Sequence, residues 1–263
     1  MLLENKVAVV YGAAGAIGGA VARAFAAEGA RVHVTGRSLE SVQALAKDIT
    51  AEGGRAEAAE VDGLDEAAID AHLRRVVAAD GRIDISFNAV GIPDTEILGM
   101  PATTIDAELY LRPVFAYTRS YFTTARLAAR HMISQGSGVI MTVTALLSRK
   151  GTTLNGGYGP AQAAKEAMTR DLSAELAPKG IRVVGVRPHG IPESASMRDV
   201  YDTKADLLGI TWEQFQGFLA ADTHPRRVMA LDEVAAVAAF LASDRASGMT
   251  GTTVNLTMGS LDD

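Results

Sequence analysis

The residues with the plainest chemical purpose stand near the start of the chain. A short apolar run, Lys6 to Val10, leads into Tyr11-Gly12-Ala13-Ala14-Gly15-Ala16-Ile17-Gly18. A strand-to-helix turn of such small residues lets the backbone approach a pyrophosphate. The helix start behind it offers unpaired N–H groups and the positive end of a helix dipole. The same composition also serves simply to pack a helix closely on a sheet. The next β-branched run ends in Thr35-Gly36-Arg37. Domains that take NAD place a carboxylate there, against the ribose 2′-hydroxyl. Gly36 brings no carboxylate, and the Arg37 guanidinium is suited to clamp a phosphate. That favours NADP(H), with NAD(H) as the second choice, although an ordinary surface arginine reads the same way.

Bulk composition excludes much else. The 263 residues contain no cysteine, so disulfides, thiolate chemistry and Cys-based metal sites are absent. His33, His72, His131 and His224 show no spacing suited to a metal ion, and none is expected. The net charge of -6 is spread along the chain, with no basic patch for nucleic acid. The first residues form no signal peptide, and no apolar run reaches the roughly 18 residues of a membrane span. A soluble cytoplasmic protein with a small-molecule substrate is the expectation.

The elements that must position these residues alternate from end to end. Strands are expected at Lys6 to Val10, Arg31 to Thr35, Ala56 to Val61, Ile83 to Asn88, Gly138 to Thr144, Ile181 to Val186 and Thr252 to Leu256. Helices are expected at Ile17 to Glu28, Leu39 to Glu52, Glu66 to Ala79, Val114 to Ser134 and Tyr158 to Ala177. Strands separated by helices of this length pair in parallel through right-handed crossovers. The expected fold is α/β: a doubly wound, parallel, seven-stranded Rossmann sheet with helices on both faces. No linker divides residues 1–263, so one domain is expected. Residues 189–224 interrupt the alternation with two short helices, Met197 to Leu208 and Trp212 to Ala221, and form the candidate substrate lid.

Taken together these segments resemble the short-chain dehydrogenase/reductase family in its single-domain form. The family turn T-G-x-x-x-G-x-G is met by Gly12 and Gly18, with Ala16 for the middle glycine and Tyr11 for the threonine. Val61-Asp62 matches the aspartate that binds the adenine amino group. Phe87-Asn88-Ala89-Val90-Gly91 resembles the N-N-A-G strand end. Glu175-Leu176-Ala177 with Gly180-Ile181-Arg182-Val183, and later Phe240-Leu241-Ala242-Ser243-Asp244 and Thr250-Gly251, are similar to further family elements. The resemblance implies a nicotinamide cofactor held by Gly12, Ala14, Gly15, Ala16, Ile17, Gly18, Arg37, Asp62, Asn88, Ala89, Gly91, Tyr158, Gln162, Pro188, Gly190 and Ile191. It also implies a homotetramer or homodimer.

The family's chemistry implies four catalytic positions, and three are rewritten here. Tyr158 matches the tyrosine that passes a proton to or from the substrate oxygen. Four residues on, where a lysine lowers the phenol pKa, stands Gln162. Thirteen residues back, where a serine binds the substrate oxygen, stands Ala145, and the asparagine position falls on Tyr117. Thr144 would supply the missing hydroxyl only if its strand bulged, since neighbouring strand residues face opposite ways. Lys165, seven residues after Tyr158, does not repair the register: a slide of three would put Ala161 at the tyrosine position. The family's P-G turn is Pro188-His189-Gly190-Ile191 here. The His189 imidazole is a candidate acid/base at the lip of the cleft, or a loop histidine without a role. Arg187 suits a substrate carboxylate and a helix cap equally.

The leading expectation is an NADP(H)-dependent oxidoreductase on a small carbonyl or alcohol, with Tyr158 as proton donor. Two others follow from the rewritten positions. One is a non-redox relative such as a lyase, isomerase or dehydratase; the other is a dinucleotide-binding pseudoenzyme without turnover.

Overall fold

Val7, Val9 and Tyr11 turn to one side of the first strand, Ala8 and Val10 to the other, and all are buried. Burial on both faces explains why the run is continuously apolar instead of alternating. The computed structural model describes residues 1–93 and 95–262, and only the backbone of residues 205–207. The strands are β1 (Val7–Tyr11), β2 (Arg31–Gly36), β3 (Arg55–Glu60), β4 (Ile85–Asn88), β5 (Gly138–Val143), β6 (Ile181–Pro188) and β7 (Thr252–Leu256). Between them run α1 (Ala16–Ala27), α2 (Leu39–Ala51), α3 (Glu66–Asp80), α4 (Ala107–Gln135) and α5 (Tyr158–Leu176). After β6 come α6 (Ala195–Leu208), α7 (Trp212–Ala221) and α8 (Leu231–Ala242).

The seven strands are all parallel, in the order β3-β2-β1-β4-β5-β6-β7. This is the doubly wound sheet expected from the sequence. The strand order reverses between β1 and β4, where a doubly wound sheet opens a crevice at the C-terminal strand ends. One core layer joins Phe25, Val34, Phe87, Val186, Val234 and Leu241. The other joins Val9, Leu73, Tyr121, Met132, Ile140 and Val183. Phe25 meets Phe87 edge-on at 6.1 Å, closing α1 against β4.

Two helices differ from the sequence expectation. The long helix begins at Ala107, not Val114, because Asp106 caps it by accepting from the amides of Glu108 (2.8 Å) and Leu109 (3.2 Å). Pro113 lies within it. A proline that ordinarily opens a helix is here carried past the first turn, at the loss of one backbone hydrogen bond. The helix Leu231–Ala242 was read only as a terminal motif. Its start is set by Glu233, which accepts from the Ala230 amide (3.0 Å) and pairs with Arg227 (2.6 Å). The two short helices of 189–224 stand where the sequence places them, within two residues at their start.

Candidate active site

The turn after β1 leaves no room for a side chain at Gly12 or Gly18. Gly12 has φ of +72°, and a Cβ on it would lie 2.5 Å from the Ala89 carbonyl oxygen at the end of β4. A Cβ on Gly18 would collide with the Gly12 carbonyl. The Gly15 amide donates to the Gly12 carbonyl (3.0 Å), closing the turn, and no side chain caps α1 at Gly15. The amides of Ala16, Ile17 and Gly18 are therefore presented at an uncapped helix start, with Ala14 beside them, as an anion cradle. Gly12→Ala is expected to cost about 2 kcal/mol or more, since it adds both a positive-φ penalty and a backbone clash. Urea unfolding measures that cost, and dinucleotide titration should show weakened binding in the same variant.

The other residues expected to hold a cofactor gather at the same strand ends. A Cβ on Gly36 would pack 3.6 Å from the Ala14 methyl, so β2 ends against the turn, and exposed Arg37 follows directly. The Val61 amide donates to the Gly36 carbonyl (3.0 Å), which sets Asp62 beside them. Asp62 accepts from the Leu64 amide at 2.9 Å. Asn88 is buried and donates to Ser120 and Thr124 on α4, at 3.0 Å each, so its carboxamide ties β4 to that helix. The Ala89 amide donates to the Tyr11 carbonyl (3.0 Å). Gly91 faces open space. Pro188 and Ile191 are buried, and Gly190 lies beneath Met197 of α6 and Leu219 of α7.

Tyr158 is the first residue of α5, and its ring meets the Tyr117 ring edge-on at 5.8 Å. The Tyr117 hydroxyl accepts from the Ile92 amide (3.4 Å), just beyond β4. Tyr158 is thereby linked to the crevice. Gln162 is 2% exposed, and its carboxamide has no hydrogen-bond partner among the described residues. Ala145 brings a methyl where an oxygen binder would stand. Thr144 does not replace it: β5 pairs with β6 in unbroken register to Val143–Val186, with no bulge. The Thr144 hydroxyl is spent on Glu166 (3.2 Å) and the Val186 carbonyl (3.4 Å).

Two further expectations are corrected. His189 is buried instead of standing at an open lip. Its Nε2 lies 3.2 Å from Asp222, at the end of α7, and Asp222 also pairs with Lys150 (2.6 Å). This fastens the end of the two-helix segment to the sheet and leaves Nδ1 buried without a partner among the described residues. Arg187 faces neither open solvent nor a helix end. Its Nε and Nη2 donate to the two Glu166 oxygens, at 2.7 and 3.0 Å, and both residues are 2% exposed. Burial alone would raise the Glu166 carboxyl. Donation from Arg187, Ser148 and Arg149 outweighs that and holds it below the usual carboxylate range.

Sequence reasoning missed Glu166, Ser148, Arg149 and Asp222, whose partners lie on distant segments. It also set Lys165 aside, and the structure gives that residue a place. Lys165 is 1% exposed, donates to the Val143 carbonyl (2.6 Å) and stands 5.5 Å from the Tyr117 ring centre. Its spacing, seven residues from Tyr158 on one helical face, was the available signal. Among the described residues no group of acidic or histidine side chains stands close enough to hold a metal ion. Nor is any helix among them long and apolar enough to cross a membrane.

Residues 12–260 match the family model described as enoyl-(acyl carrier protein) reductase. The chain is 32% identical over 249 residues to an uncharacterized oxidoreductase, YxbG, of Bacillus subtilis (strain 168), covering 95% of this chain and 88% of that protein. Among solved structures it is similar to a 7 alpha-hydroxysteroid dehydrogenase complexed with NADH and 7-oxo glycochenodeoxycholic acid. There the TM-score is 0.86 at 26% identity, covering 99% of this chain and 96% of that one. It is also similar to a gluconate 5-dehydrogenase from Burkholderia cenocepacia J2315 in complex with NADP and tartrate. There the TM-score is 0.85 at 25% identity, covering 98% and 96%.

Proposed function

The chain belongs to the short-chain dehydrogenase/reductase family of oxidoreductases that use a nicotinamide dinucleotide, and we propose that it reduces a small carbonyl compound with NADPH. The observation that carries this reading is the meeting of two features at the C-terminal ends of the central strands. The cradle from Gly12 to Gly18 has no room for a Cβ at Gly12 or Gly18, and Tyr158 faces the same crevice through Tyr117 and Ile92. The residues present fit the cofactor: the cradle has the room and donors for a pyrophosphate, and the free Gln162 carboxamide suits a ribose hydroxyl.

When bound, the dinucleotide supplies the hydride that the carbonyl carbon gains. Tyr158 gives its phenolic proton to the carbonyl oxygen, and solvent returns that proton. Reduction needs a proton donor and not a phenolate base, so it tolerates the loss of lysine at Gln162 better than alcohol oxidation does. Met197 and Leu219, pressed over Gly190, give the substrate side an apolar wall, and residues 189–224 act as its lid. Trp212 and Phe215 pack on Tyr201 within the lid and are its own core. Exposed Leu111, Phe115 and Phe122 on α4 suit a homo-oligomer.

The test is consumption of NADPH, followed at its nicotinamide absorbance, with a panel of cyclic ketones, keto acids and acetoacetyl thioesters. Turnover of one class supports the reading. Product without cofactor oxidation would mark a non-redox relative, and NADPH-induced stabilisation without turnover a sensor. Arg37 carries the cofactor preference: Arg37→Ala should weaken NADPH binding by about tenfold or more and leave NADH binding unchanged. Equal losses for both cofactors would remove the 2′-phosphate from this account.

A further inference from the structure

Lys165 is a charged residue in a place that ordinarily rejects charge. It is 1% exposed and makes no ion pair among the described residues. It is held by one hydrogen bond, to the Val143 carbonyl two residues before Ala145. The groups facing it are the Tyr117 and Tyr121 rings of α4, at 5.5 and 6.0 Å, and that carbonyl of β5. On its own helix Glu166 turns away to Arg187, while Gln162 and Tyr158 lie one and two turns toward the helix start. Burying an ammonium with so little compensation is costly, so a bland packing role explains it poorly.

The geometry gives it another use. Residues seven apart share one face of a helix, about 10.5 Å along the axis, and side chains lean toward the helix N-terminus. The Lys165 ammonium is thus carried back toward Tyr158, and the ring it approaches is the one Tyr158 packs against. We propose that Lys165 is a positioning residue of this active site. Through the Tyr117 ring it supplies the positive field on the Tyr158 phenol that the family draws from a lysine at the position of Gln162. The inference rests on the reductase reading above. As Tyr158 gives up its proton, the developing phenolate is favoured by a cation in a water-poor setting, worth about tenfold in rate. Burial lowers the Lys165 ammonium to about 7, so this help is present on the acid side and fades as pH rises. Burial drives the Tyr121 phenol upward, out of that range.

Two experiments decide it. The first is the pH dependence of NADPH-driven reduction. The unmodified enzyme should slow about tenfold as pH rises through about 7, with KM little changed. Lys165→Met should lie flat at the slow level, and Gln162→Lys added to Lys165→Met should restore the fast one. A Lys165→Met enzyme with the original profile would overturn the proposal. The second needs no turnover and covers a Lys165→Met chain that does not fold. Lysine 13Cε NMR follows the Lys165 titration, assigned by its absence in Lys165→Arg. Tyr117→Leu should lower the midpoint by about half a unit, since the ring no longer favours the charged form. An unmoved midpoint means no coupling through Tyr117 and also overturns it. If the unmodified enzyme reduces no carbonyl, the reductase reading fails, and the NMR result alone decides this one.

Discussion

Tyr158→Phe is expected to lower carbonyl reduction by about a thousandfold, within the range that a positioned general acid supplies. The substitution removes only the phenolic oxygen and keeps the ring that meets Tyr117 edge-on. Packing at the start of α5 is therefore retained, and so is the glycine cradle across the crevice. NADPH affinity should change by no more than about twofold, and the unfolding midpoint should hardly move. Stopped-flow or steady-state rates alongside a binding titration separate the two effects. The pairing of lost turnover with intact binding is the informative result. A variant that still turns over at the original rate would show that the proton comes from elsewhere, and the reductase assignment of Tyr158 would fall.

Glu166→Ala should be the most damaging single change to stability, at about 3 kcal/mol or more. It takes the carboxylate from a guanidinium that is 2% exposed and bound to it through two nitrogens. Breaking a buried pair from one side leaves a charge in a low-dielectric setting, which costs more than the pair itself contributes. The same carboxylate collects Ser148, Arg149 and Thr144, so the loop after β5 should loosen along with β6. Urea unfolding measures the loss, and hydrogen exchange over residues 144–150 should locate it. Acid should act in the same direction. The Glu166 carboxyl is held below its ordinary range, so its contribution is complete above that range. It is lost as pH falls through the depressed value. A Glu166→Ala chain as stable as the original, with unchanged acid sensitivity, would show that the pair contributes nothing net.

These two residues also mark how far sequence reading reaches. The place of Tyr158 at the start of a helix was legible in the sequence. The role proposed for it comes from the resemblance. Glu166 was not legible: on α5 it is one acidic residue among helical neighbours, and nothing local says that β6 brings Arg187 against it. Arg187 was read as a substrate ligand or helix cap for the same reason. His189, a candidate acid/base or a loop histidine on its sequence, is spent on Asp222, and Thr144, on an unbulged strand, is spent on Glu166; both partners come from other segments. The start of α4 was placed at Val114, whereas an Asp106 cap opens the helix at Ala107, ahead of Pro113.

The sequence by itself determined the doubly wound sheet and the glycine turn after β1, and it named the residues that stand where the resemblance implies catalytic positions. These depend on hydrophobic period, on glycines that no other residue replaces, and on spacing within single elements. Such signals survive in one dimension because their cause is local. Tertiary structure decided which side chains those residues meet. It alone shows Tyr117 against Tyr158, the Gln162 carboxamide without a partner among the described residues, and the Lys165 ammonium buried over the Tyr117 ring. Those relations join α4, α5 and β5. Pairings between separate elements are set by how whole helices and strands pack, and no spacing along the chain records them.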